Sequence, residues 1–83
     1  MHAITTKYIE ATDTKGERVK ATAFSGQTLT MPWNNEQNIQ DNHALVAKAL
    51  AEKLDWRYTY SGAVLNERGY VFVPHYSQMS FEV

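Results

Sequence analysis

The sequence predicts a small α+β domain: an antiparallel sheet of three to five strands, order β-β-β-α-β, with one helix packed on one face. Three patterns carry this expectation. Residues 2–11 and 17–32 are rich in Thr, Ile, Val, Tyr and Phe, with apolar and polar positions roughly alternating. From Ile39 to Leu54 apolar residues recur at three- and four-residue steps. Tyr70–Val73 returns to strand-forming residues behind a cluster of turn formers.

The elements follow in order. Asp13-Thr14-Lys15-Gly16 joins the first two strands, Asp favouring the turn and Gly supplying positive φ. Ser25-Gly26 turns the chain into Gln27–Met31, and Pro32, unable to donate to a ladder, is expected to end that strand. Trp33 to Asn38 is a polar, Asn-rich loop. Asn38 caps a helix over Ile39–Leu54, with Asp41 near its positive end and Lys53 near its negative end. Ile39, His43, Val46, Ala47, Leu50 and Leu54 form its apolar stripe, while Gln40, Asp41, Lys48 and Glu52 face water. Trp56, Tyr58 and Tyr60 alternate with polar residues and suit a short extra strand. Ser61-Gly62 and Asn66-Glu67-Arg68-Gly69 read as turns, and Pro74 as the end of the last strand. His75–Val83 either pairs along a sheet edge or trails free. Period-2 alternation puts Ile4, Val19, Ala21, Leu29, Met31, Val71 and Val73 under the helix. It leaves Lys7, Arg18, Lys20, Thr28, Thr30, Tyr70 and Phe72 on the open face.

Composition narrows the function. The 83 residues make one domain, residues 1–83 throughout, with a thin core that buries roughly 60% of the unfolded surface. No cysteine is present, which excludes disulfides and thiolate metal sites and fits a reducing compartment. A net charge of −1 provides no strong field toward nucleic acid or membranes. No apolar run approaches the ~20 residues of a membrane span, and no secretory h-region is visible. The expectation is a cytoplasmic protein with no membrane partner; a homodimer would extend its thin core.

Chemical motifs are sparse. His2, His43 and His75 lack ligand spacing, so no metal or other cofactor is expected. Ser25, Ser61, Ser77 and Ser80 lie outside any nucleophile elbow, the carboxylates form no shared constellation, and no enzyme activity is expected. The aromatic residues are the remaining signal, since Trp and Tyr anchor interfaces. Trp56 follows the helix directly and suits closing the core. Trp33, between Pro32 and the Asn-rich loop, suits exposure. Trp33 with Asn34, Asn35 and Glu36 is therefore the expected partner-binding rim. The alternative is single-stranded nucleic acid on the open sheet face, with Lys7, Arg18 and Lys20 holding phosphates and Tyr70 and Phe72 stacking bases.

Ala3–Tyr8, Thr12–Ala21, Leu29-Thr30-Met31-Pro32, the Ala-rich helix ending Lys53-Leu54-Asp55-Trp56, and Gly69–Val73 together resemble a group of small proteins of phages, plasmids and other mobile elements. The likeness spans most of the chain and departs at Ala11, where the pattern has proline. The architecture is similar to that of anti-CRISPR proteins. What the resemblance implies is an inhibitor that occludes a host protein or complex, acting in the host cytoplasm, with no catalytic residue to carry over.

Overall fold

The computed structural model describes residues 2–75. In chain order it has β1 (Ile4–Ile9), β2 (Arg18–Ala23), β3 (Thr28–Pro32), α1 (Ile39–Lys53), β4 (Thr59–Asn66) and β5 (Gly69–His75). All five strands form one antiparallel sheet, ordered β3-β2-β1-β5-β4, so the first strand lies at the centre. The α+β class and the single helix are as expected; a full eight-residue β4 is the addition. The tail 76–83, for which an edge strand was one expectation, lies outside the described residues.

Local chemistry places each element. The Thr12 hydroxyl accepts from the Lys15 amide at 3.2 Å and closes the β1–β2 connection. The Asn38 side chain accepts from the Asp41 amide at 2.7 Å, the cap that the sequence suggests. At the other end Leu54 is the cap and Asp55 takes a left-handed φ of 59°. The Trp56 amide then bonds back to the Ala51 carbonyl at 2.8 Å and the Asp55 amide to that of Glu52 at 3.1 Å. This reversal delivers Trp56 to the base of the core, where it packs half-buried.

The helix covers only part of the sheet. It packs on β2, β1 and β3 and touches β5, while β4 reaches the core through the partly buried Tyr60 and is otherwise largely exposed. The buried core is correspondingly Ile4, Val19, Ala21 and Ala23 from β1 and β2 against Val46, Ala47, Leu50 and Ala51 from α1. His43 completes the stripe, wholly buried, and its Nδ1 shares a 2.7 Å hydrogen bond with the Thr6 hydroxyl of β1. Ile39 does not join it. At the first turn it is 59% exposed, projecting past the packed sheet.

Three strand expectations are corrected. The pairs Ile4↔Phe72 and Thr6↔Tyr70 turn Tyr70 and Phe72 toward the helix side, and Val71 and Val73 away from it. Both alternations of this strand are apolar, so pattern alone does not choose between them. Packing does: α1 only grazes β5, and wide rings fill the wedge that Val side chains would leave empty. Gly69 holds the register, because a Cβ there would run into the Thr6 carbonyl. Ser61-Gly62 is not a turn but mid-strand, with the Phe72 ring lying over Gly62 where a side chain would be. Pro74 does not end β5; it pairs with Tyr60, beyond the last β1 partner, so its missing N–H interrupts no bond to β1.

Candidate partner-binding site

Trp33 leaves β3 at the sheet edge and turns under the N-terminal end of α1. It is half-buried, not exposed as its sequence neighbours suggest, and packs against the core. Its ring meets Tyr8 edge-to-face at 5.0 Å and 80°, and His43 at 5.8 Å and 81°. The Trp33 amide donates to the Glu17 carbonyl at 3.0 Å.

The Asn-rich loop beside it is fixed by a residue that the sequence reading passed over. Asn42 is 2% exposed, and its side-chain amide donates to the carbonyls of Asn34 at 2.9 Å, Asn38 at 3.0 Å and Gln37 at 3.3 Å. Its oxygen accepts from the Asn34 amide at 2.8 Å. Asn34 in turn accepts from the Glu36 amide at 2.9 Å. One buried amide thus ties a polar loop into one shape. The signal was present in the sequence: an Asn one turn after an Asn N-cap, on a flank of the apolar stripe.

The structure brings Trp33, Asn34, Asn35 and Glu36 together on one lip. With Met31, Pro32, Asn42 and Leu45 they line a groove of about 540 Å³ between β3 and α1. On the other side of the indole lies a second cleft, about 420 Å³, walled by Tyr8, Trp33, His43 and Tyr70 with Ile39 and Val64. Glu17, Asn66, Glu67 and Arg68 rim it. There the Tyr8 hydroxyl donates to the Glu17 carboxylate, which raises the phenol above its usual pKa. Arg68 pairs with Glu10 at 2.6 Å. Burial lowers the His43 imidazole below its ordinary value, so it stays neutral at pH 7.

The alternative site is divided by the register. Lys7, Arg18 and Lys20 do share the open face, with Lys7 directly opposite Lys20. Tyr70 and Phe72 sit on the other side of the sheet, so the expected basic-and-aromatic surface does not form. A further concavity, about 650 Å³, lies at the opposite end of α1, where Ala47 and Ala51 face Trp56, Tyr60 and Phe72. Sequence reasoning did not foresee it, because it exists only where the helix stops short of β4. Among the described residues no group of three or more His, Asp or Glu side chains is placed to hold a metal ion, and no helix is long and apolar enough to cross a membrane.

Comparison of the chain with protein-family models, curated proteins and solved structures finds no match, and so no relative from which a residue's role can be carried over.

Proposed function

We propose that this chain is a non-enzymatic protein-binding module that seats a host partner against the Trp33 lip. The observation that carries this reading is the Asn42 staple. A polar loop held by four hydrogen bonds from one buried side chain is pre-organised, and pre-organisation lowers the ordering cost of binding. Beside it are a half-buried indole and Leu45, an apolar centre within a polar rim, which is the anatomy of a protein interface. Action by occlusion of a host defence complex is the narrower form, and it rests on the resemblance to mobile-element proteins.

The test uses exposed groove residues, so that folding is not at issue. Leu45→Arg and Glu36→Arg should each abolish nuclease-resistant, stoichiometric capture of a partner from host lysate while leaving the thermal transition in place. Capture that survives both substitutions would remove the groove as the interface.

A second reading is favoured by one observation. Lys7 lies directly opposite Lys20 on the open face, an arrangement of like charges that strand pairs generally disfavour. With Arg18 alongside, these cations suit a run of phosphates, without base stacking. Binding of this kind weakens steeply with salt, and Lys7, Arg18 and Lys20 replaced together by Thr should eliminate it. Salt-independent affinity would count against it.

A further inference from the structure

We propose that the cleft between Tyr8, Trp33 and Tyr70 is a binding site for an organic ammonium cation, a quaternary or methylated nitrogen. Tyr8 and Trp33 stand at 80° to one another and make two walls of a corner. Trp33 meets His43 at 81°, and His43 meets Tyr70 at 4.6 Å, so four rings run continuously around the cleft. Faces of aromatic rings carry negative electrostatic potential, and a cation shielded by methyl groups loses little hydration on entering such a corner. The volume of about 420 Å³ is ample for a trimethylammonium group.

Charge around the cleft has the matching sign. Glu17 and Glu67 stand at its rim, and the one basic residue there, Arg68, is already engaged by Glu10. The floor adds no opposing charge, because the buried His43 is held neutral. An anion would meet two rim carboxylates; a neutral planar ligand would gain nothing from them. This inference does not depend on the protein-binding reading, since a free small cation carries the same chemistry as a methylated lysine on a partner.

The experiment is a titration of the intact protein followed by NMR at the Trp33 indole N–H. The probes are choline, its uncharged isostere 3,3-dimethylbutan-1-ol, and a peptide bearing trimethyllysine. Choline should shift the Trp33 signal, with the uncharged isostere roughly tenfold weaker. Glu17→Gln should weaken choline binding and Arg68→Gln should tighten it; both side chains are surface groups whose loss leaves the fold intact. Binding by the peptide alone would assign the cation to a partner protein, and binding by choline alone to a free metabolite-sized ligand. Equal shifts from choline and the uncharged isostere would overturn the proposal. So would no shift from either cation, or a loss of affinity in Arg68→Gln, the sign expected of an anion site.

Discussion

Under α1, strands β1 and β2 bury Ile4, Val19, Ala21 and Ala23 against Val46, Ala47, Leu50 and Ala51. Beyond it, β4 and β5 add no aliphatic side chain to that set, and Val64, Leu65 and Val73 stand 66%, 54% and 46% exposed. The two halves share one hydrogen-bonded sheet but have different physics. The covered half is held by apolar burial; the uncovered half is held by its ladder and by half-buried rings. Function can reside at the boundary between them: the 420 and 650 Å³ clefts both open where helix cover runs out. Stability comes from the part of this face that the helix covers, and concave accessible surface from the margin of the same face where the cover ends.

The two halves should differ most at their aliphatic side chains, and Leu50 in the covered half is fully buried. Leu50→Ala should cost about 2–5 kcal/mol, the transfer of the side chain plus the cavity it leaves. Leu65→Ala on β4 should fall within about 0.5 kcal/mol of wild type, because the side chain is already largely in water. Chemical denaturation of the two variants decides it. A comparable loss at Leu65 would mean that β4 is covered in solution by something beyond residues 2–75.

Asn42 should come next. Replacing it with Ala leaves the Asn34 and Gln37 carbonyls without their side-chain donor and should cost about 1–3 kcal/mol. The loss should appear locally, as faster amide exchange in residues 34–38 with β4 and β5 unchanged.

The sequence made the covered half legible and the uncovered half only partly so. The helix, its Asn38 cap and strands β1–β3 follow from local rules: one periodic stripe, apolar–polar alternation with a clear polar side, and turn residues at both connections, although of the two turn glycines Gly26 takes positive φ and Gly16, expected to, does not. Tyr70-Val71-Phe72-Val73 has no polar side, so its register was settled by the shape of the space beneath α1. Gly62 looks like a turn until Phe72 is seen lying over it. Asn42 has no evident role in the sequence until the loop carbonyls that it serves are located. Trp33, Asn34, Asn35 and Glu36 could be grouped because they are adjacent in sequence. Tyr8, Glu17, Trp33, His43 and Tyr70 could not, because strand pairing and helix packing bring them together.

His43 links the halves, touching Thr6 and Tyr70 at once. Its folded pKa lies below the unfolded value of about 6.5, so the unfolded chain binds the extra proton. Stability from this group is complete above about pH 6.5 and is lost as pH falls from there toward the folded pKa, at no more than about 1.4 kcal/mol per pH unit. Subtracting the pH profile of His43→Gln from that of wild type isolates this slope from the carboxylates. A flat difference between pH 7 and 5 would show that the imidazole takes up its proton without leaving its place.

The smallest effect has the opposite sign. Lys7 and Lys20 face each other on the open face of the covered half, where no packing compels either charge. Lys7→Glu replaces repulsion by attraction and sets a carboxylate beside Arg18 as well, so it should stabilise the domain by about 0.2–1 kcal/mol. The denaturation midpoint should rise with an unchanged m-value, since no apolar surface is involved. If the open face binds phosphates, the same variant should lose that affinity, and a more stable protein would be the less active one. A midpoint that does not move would mean that the two ammonium groups already diverge into solvent. The like-charge pair would then cost nothing to keep, and the main physical reason for reading the open face as a binding surface would be gone.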